Sequence, residues 1–466
     1  MSAQPPTLPD SPPAPNLMQR DALREMICGR LRRPLGTVLS ALAAAASVTL
    51  ILDAATPLLR DDRVLYSADE LAAIYRRSPL GELPPEPTNG AADSVPAAVL
   101  GQFLFFDKRL SANGEIACAS CHQPARGFSD GRALAKGLAG GTRNTPTLLN
   151  VAFNHWFFWD GRADSLWSQA LQPLERPREA GGDRLQIAHL VAADPALSAA
   201  YQQVFGPLPP LADTGRFPAH ARPDRDPQSA IARAWQAMAP SDRTAVNRVF
   251  SNLGKAIEAY ERKLVSGVSP FDTYVDGLRA GDPDKEAALS PAAVRGLKLF
   301  VGAANCAACH TGPALSDGEF HNLGLPLLPG EEEDRGRAAG LAVLRADIFN
   351  AAGPFSDEPT GTAQRRLEFL PPPQSQLGAF KTPTLRNVAL TAPYMHDGRF
   401  ATLPQVLEFY ARGKTASRGR LVGTREAALN LVPRLTPAQS ADLVAFLEAL
   451  TGAPLPSSLT EPPPRR

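Results

Sequence analysis

The chain has 466 residues, with 48 Lys and Arg against 47 Asp and Glu, a formal net charge of +1. A balance this close to neutral excludes nucleic acid and an anionic membrane face as main partners. The apolar fraction of 44% can build a sizeable core, the length suggests two or three domains, and the 46 prolines cluster in tails and long loops.

Residues 1–34 are first Pro-rich and then basic, with Arg20, Arg24, Arg30, Arg32 and Arg33. Residues 35–52 are mostly apolar and carry no charge. A basic flank before such a stretch reads as a signal peptide or a signal anchor, at the lower limit of length for a spanning helix. Ala54 and Ala55 offer a cleavage site. The rest of the chain is therefore expected outside the cytoplasm, in the periplasm, soluble after cleavage or held by an inner-membrane anchor.

Asp69, Glu70, Leu71 and Ile74 suggest a short helix, and a Pro/Gly-rich loop follows over 79–87. Ser94 is placed to cap a helix with Val99, Leu100, Phe103 and Phe106 on its apolar positions. That helix leads into Cys118-Ala119-Ser120-Cys121-His122. C-x-x-C-H is the attachment signature of a c-type haem. Its thiols add across the two vinyl groups, because one helical turn presents both sulfurs along one ring edge. The histidine then meets the iron as proximal ligand. The arrangement recurs: Ser290, Pro291, Val294, Leu297, Leu299 and Phe300 predict a helix before Cys306-Ala307-Ala308-Cys309-His310. Zinc is the competing reading, but its C-x-x-C pairs usually lie close together in sequence. Here a domain-sized stretch separates them. Cys28 is left over, so no disulfide framework is expected.

A second repeat accompanies the first. Thr145-Pro146-Thr147-Leu148-Leu149-Asn150-Val151-Ala152 recurs as Thr382-Pro383-Thr384-Leu385-Arg386-Asn387-Val388-Ala389. In the same register, Trp159-Asp160-Gly161-Arg162 recurs as His396-Asp397-Gly398-Arg399. This is internal duplication at long period. Between the halves, 183–206 and 229–263 read as helical and 208–227 as a loop. Residues 326–376 read as a long Pro/Gly/charged surface excursion. Thr436, Pro437 and Gln439 form a capping box for a last helix with Leu443, Leu447 and Leu450 inward. The Pro-rich end from Pro454 reads as a frayed tail. Strand alternation is almost absent. The expected fold is mainly α, with two cytochrome c-like haem domains related by internal duplication behind an N-terminal signal or anchor helix. The divisions fall at 1–60, 61–285 for the first haem domain, 286–455 for the second, and 456–466 for the tail.

The two C-x-x-C-H motifs, the repeated Thr-Pro-Thr-Leu block, Phe158-Trp159-Asp160-Gly161-Arg162 and Pro393-Tyr394-Met395-His396-Asp397-Gly398 together resemble the bacterial di-haem cytochrome c peroxidase / MauG superfamily. The resemblance runs from about Ser94 to Gly452. It implies two covalently bound haems c, one where peroxide binds and one that stores or relays electrons. Many of its peroxidases have a histidine sixth ligand on the first haem, where this chain has Leu138. No histidine lies between His122 and His155, so the first haem is expected to be open unless His155 swings in.

The resemblance further implies Glu179 as distal acid–base group, with Gln169 and Pro173 in the distal pocket and Trp159 between the haems. By itself, Glu179 is one acid in a charged loop, and Trp159 belongs to an apolar run that reads equally as core. The second haem's further ligand is expected at Tyr410, where peroxidases have Met and MauG has Tyr, with Met395 the alternative. Leu403, Val406, Leu407 and Tyr410 also make a helical core stripe. A phenolate favours ferric iron and a thioether raises the potential. A calcium ion is implied at Asn144 and at the carbonyls of Thr391 and Pro393.

The expected function is an exported peroxidase that reduces hydrogen peroxide. Its electron donor would be a small cytochrome c or copper protein. The alternative is a MauG-like enzyme that oxidises a side chain of a partner protein through high-valent iron. A non-catalytic di-haem electron carrier is the reading from another class. Either a monomer or a homodimer fits.

Overall fold

The computed structural model describes residues 64–328 and 330–464. The basic tail, the apolar stretch expected to be a signal or anchor, and Cys28 lie outside the described residues. No described helix is long and apolar enough to cross a membrane.

Helices dominate, as expected. Among the described residues, the only named strands are Phe320–His321 and Phe380–Lys381, paired antiparallel. The helix ends follow local chemistry. Ser94 Oγ accepts from Ala97 N–H to start Val95–Phe106, and Ser290 Oγ accepts from Ala293 N–H to start Pro291–Val301. Thr436 and Gln439 close a reciprocal capping box on Pro437–Glu448. Each such cap satisfies a backbone N–H that the helix itself leaves unpaired.

Two helix pairs organise the halves. Val95–Phe106 packs on the long helix Pro240–Glu261, which also carries Leu166–Glu175. Pro291–Val301 packs on Pro437–Glu448. Both crossings are closed by a glycine. A Cβ on Gly101 would stand 1.8 Å from the Ala256 carbonyl oxygen, and one on Gly296 would stand 2.0 Å from that of Asp442. Gly101→Ala must push the helices apart, so it is expected to cost about 1–3 kcal/mol, the range for overpacking a close-packed core. Denaturant unfolding measures this; an unchanged midpoint would mean that the crossing is slack.

The repeated Thr-Pro-Thr-Leu-x-Asn blocks make matching contacts. Ser129 Oγ donates to Thr145 O at 3.1 Å, and Ser316 Oγ to Thr382 O at 2.7 Å. Thr147 Oγ1 donates to Gly127 O and Thr384 Oγ1 to Ala314 O, each at 2.6 Å. Asn150 and Asn387 both have φ of 61°, a left-handed turn that asparagine tolerates. Their amides converge on one atom: each Nδ2 donates to Ser266 Oγ at 3.0 Å. The two blocks thus meet at a single serine.

Several segments pack away from their neighbours in sequence. Ile74, from the capped helix Ala68–Tyr75, lies in the core of the second half with Phe271, Phe300 and Phe446. Arg386 lies there too, buried, with Nη1 and Nη2 donating to the two Asp272 oxygens at 2.9 and 3.0 Å. The expected surface excursion over 326–376 is corrected. It forms helices Arg337–Ala346 and Thr362–Glu368, and Phe349 and Phe355 enter the first core beside Trp167 and Phe250. Its apolar anchors are spaced among prolines, glycines and charges, so no periodicity announced them. The expected frayed end is corrected as well. Ser457–Thr460 is a helical turn; Gln102 Nε2 donates to Ser458 O and Glu461 O, and Tyr260 OH to Leu459 O.

Candidate haem cavities

Each C-x-x-C-H motif opens on its own cavity. Cys118, Cys121 and His122 line one of about 350 Å³. Cys306, Cys309 and His310 line one of about 1010 Å³. The four cysteines are free, and burial pushes the Cys118 and Cys306 thiols up to about 12. The two pairs stand in separate cavities, so they do not form a single four-cysteine zinc site. Among the described residues, the tight cluster of three metal-donor side chains is Cys309, Asp317 and His321.

The histidines of the two motifs are set up alike. His122 Nδ1 is 3.1 Å from Phe128 O, and His310 Nδ1 is 2.9 Å from Leu315 O. A backbone carbonyl at Nδ1 fixes the proton there and leaves Nε2 as the free donor atom. Phe128 and Leu315 reach this pose through positive φ, 58° and 52°. The loops carrying them are the ones that the Thr-Pro-Thr blocks tether. Burial lowers both imidazoles below their ordinary pKa, which keeps each neutral and able to ligate. Two thiols along one cavity wall, a neutral imidazole with a fixed tautomer, and apolar surroundings fit a c-type haem in both places.

The first cavity also gathers Gln169, Pro173, Glu179 and Trp159. Glu179 arrives by backbone pairing: Leu138 N–H donates to Glu179 O at 2.9 Å and Ala139 N–H to Arg178 O at 3.2 Å. Its nearest cation is Arg176, with Nε 3.8 Å from Oε1, so the carboxylate is only loosely held. Gln169 Oε1 is buried without a hydrogen-bond partner among the described residues. His122 is the sole histidine among the residues lining this cavity. His155 is exposed and does not line it.

Trp159 and Lys381 line both cavities. Trp159 Nε1 donates to Asn144 O at 2.9 Å, and its own carbonyl accepts from Lys381 N–H at 2.8 Å. Asp160 anchors the turn through Arg143 at 2.6 Å and Arg162 at 3.1 Å.

The second cavity is lined by Tyr410, Met395, Leu403, Val406 and Leu407. Burial, with Cys306 and Cys309 nearby, pushes the Tyr410 hydroxyl above its ordinary range. Asn144, Thr391 and Pro393 also line this cavity. His321 is held between Asp317 at 2.9 Å and Glu426 at 3.1 Å. Its hydrogen bond with Asp317, followed by those with Cys309 and Glu426, pushes it up to about 11. His396, at the repeat position of Trp159, stacks on Phe380 with centroids 3.6 Å apart.

Two bracing residues lie beyond the reach of the motifs. Arg77 is buried and donates to Ala307 O and His310 O, both at 3.0 Å. Arg337 is buried between the Trp156 and Phe320 rings, 4.5 and 4.1 Å from their centroids, and donates to the carbonyls of Asp160 and Gly161. Both contacts span more than 170 residues, and no local signal announces them. Lys381 stands next to the Thr-Pro-Thr repeat, and that proximity could have flagged it.

The family model for di-haem cytochrome c peroxidase matches residues 96–280. The chain is 34% identical to cytochrome-c peroxidase IdrP1 of Denitromonas iodatirespirans, covering 86% of this chain and 91% of that protein. The chain belongs to the di-haem cytochrome c peroxidase and MauG family. Methylamine utilization protein MauG of Methylorubrum extorquens is 31% identical, over 85% of this chain and 90% of its own. The diheme peroxidase BthA of Burkholderia thailandensis superposes with a TM-score of 0.57 at 26% identity, covering 83% of this chain and 92% of its own. Membership makes the protein an oxidoreductase with haem cofactors, and the peroxidase and MauG-like readings both fit it.

Proposed function

We propose that the chain reduces hydrogen peroxide in the first cavity and exchanges electrons through the second. The observation that supports this most is the lining of the first cavity: one histidine, His122, shares it with Glu179, Gln169 and Pro173. Cys118 and Cys121, and likewise Cys306 and Cys309, would hold the haems as thioethers, with His122 and His310 ligating through Nε2. When bound, the first haem supplies the electrons that break the O–O bond. The protein's part is acid–base and steric. A Glu179 carboxylate oxygen takes a proton from one peroxide oxygen and returns it to the departing one, so that water leaves rather than hydroxide. The unpartnered Gln169 Oε1 accepts a hydrogen bond from the peroxide, and Pro173 fills space that water would otherwise occupy. Trp159, touching both cavities, is the candidate relay between them.

The electron source is a small cytochrome c or copper protein, or a side chain of a partner protein. Oxidised holoprotein is expected to give one high-spin ferric EPR signal and to turn over peroxide with a reduced cytochrome c. Two low-spin signals and no turnover would leave only the electron-carrier reading.

Tyr410 supports the MauG-like variant of this function. Its hydroxyl lies near Cys306 and Cys309, and burial there disfavours a free phenolate. A ferric ion reverses that preference. Tyr410→Phe is expected to change the visible spectrum of the second haem and raise its potential; an unchanged spectrum would hand the position to Met395 or leave it vacant.

The matching contacts of the two Thr-Pro-Thr blocks support internal duplication, with the first haem domain at 61–285 and the second at 286–455. The calcium reading is supported by Asn144, Thr391 and Pro393 sharing one cavity wall. We further read the protein as periplasmic, since c-type haem is attached outside the bacterial cytoplasm and the basic–apolar N-terminal sequence suits export.

A further inference from the structure

Glu261 ends the long helix Pro240–Glu261 and lines the first cavity beside Cys118 and Ile257. It is 4% exposed, and its Oε2 is buried with no hydrogen-bond partner among the described residues. Neither Glu179's acid–base role nor the attachment motif uses it. A carboxyl in this state is costly unless it is protonated or faces a compensating charge.

The groups around it supply none. Cys118, facing it from the attachment turn, becomes an uncharged thioether once haem is bound. Tyr260 is neutral and donates to Leu459 O. Glu258, one helical turn back, is buried and held up by that burial and by Glu86. Arg262 turns away to Asp93 Oδ1 at 2.9 Å. His122, on the same cavity, is neutral and fixed at Nδ1 by Phe128 O. Burial acts on Glu261 with no charged neighbour beside it, so the charge that changes there when an electron arrives is that of the haem itself.

We infer that Glu261 is the proton partner of the first haem, taking up one proton from solvent when that haem gains an electron. The inference rests on the reading that Cys118–His122 hold haem. The step balances: ferric haem with Glu261 carboxylate, one electron from the donor protein and one solvent proton give ferrous haem with Glu261 carboxylic acid. Burial pushes the Glu261 carboxyl up to about 8, within reach of a one-charge change close by. Ferric haem carries one more positive charge than ferrous haem, so it favours the carboxylate, and reduction favours the acid. One proton thereby enters the buried site with each electron, and reduction leaves no uncompensated charge beside the cavity.

The test is a spectroelectrochemical titration of the first haem in holoprotein, after both thioether attachments have been verified by mass. Failure at that first check would count against the haem reading and not against Glu261. The midpoint potential of the wild type should fall as pH rises through the region around 8. Glu261→Gln should flatten this slope, Glu261→Asp should keep one, and Glu179→Gln should leave it in place. A wild-type slope in Glu261→Gln overturns the inference, as does its loss in Glu179→Gln alone. A second readout needs no variant. The reduced-minus-oxidised infrared spectrum of the wild type should contain a carboxylic acid C=O band that shifts in deuterium oxide, and a spectrum without one also overturns the inference.

Discussion

Glu179→Gln is expected to lower peroxide turnover by about 10²–10⁴-fold, the usual contribution of one positioned acid–base group. The amide keeps the shape of the side chain and can still hydrogen-bond, but it cannot take a proton. Backbone pairing with 138 and 139 holds the position of residue 179 independently of its side chain, so the cavity should keep its form. The loss should therefore appear in kcat and kcat/KM together, with haem content, EPR spin state and second-haem spectrum as in the wild type. Single-turnover mixing with peroxide measures it directly. A rate within a factor of two of wild type would remove Glu179 from the proton path and return it to the charged loop that its local sequence suggests.

The second large effect is on stability. Asp272→Asn is expected to cost about 3–5 kcal/mol, the range for removing one partner of a buried ion pair. Asp272 receives both Arg386 nitrogens, the Ser78 hydroxyl, and the Ser269 hydroxyl and N–H. Arg386 also donates to Pro313 O and Arg77 O. The pair thus ties the second Thr-Pro-Thr block to the loop after the second attachment motif and to the N-terminal arm. Burial alone would raise the Asp272 carboxyl, but its hydrogen bonds with Arg386, Ser269 and Ser78 outweigh that and hold it at about 2, against an ordinary 3.8. A depressed folded-state pKa contributes stability above the unfolded value and loses it as pH falls through the folded one. The wild type should therefore lose this contribution between about pH 4 and pH 2, while Asp272→Asn should lack that part of the acid dependence. Denaturant melts at a series of pH values decide the matter, and parallel acid profiles would rule out the pair as a source of stability.

The caps at Ser94, Ser290 and Thr436 act over three residues, so they are legible in any window that contains them. The paired blocks were visible as repetition, although their purpose was not. Only the folded chain shows that Thr147 and Thr384 tether the loops whose Phe128 and Leu315 carbonyls orient His122 and His310. The burial within 326–376 is not legible locally, because Leu341, Leu344, Phe349 and Phe355 are buried without one helical or strand period across the whole stretch. The order near the end of the chain is not legible locally either, because its anchoring comes from Gln102 and Tyr260, far away in sequence.

By itself, the sequence determined two C-x-x-C-H motifs, the recurrence of a second block in the same register and a helical class. These rest on covalent chemistry and on spacings within a few residues. The tertiary structure decided what surrounds each motif. It brought Glu179 and Gln169 to the cavity of His122 and kept His155 out of it. It set Tyr410 near Cys306 and Cys309, buried the guanidinium of Arg337 against two rings, and left a Glu261 oxygen without a partner beside Cys118. The physical reason is the same in each case. Burial and pairing are properties of neighbours in space, and here those neighbours come from positions tens to hundreds of residues apart.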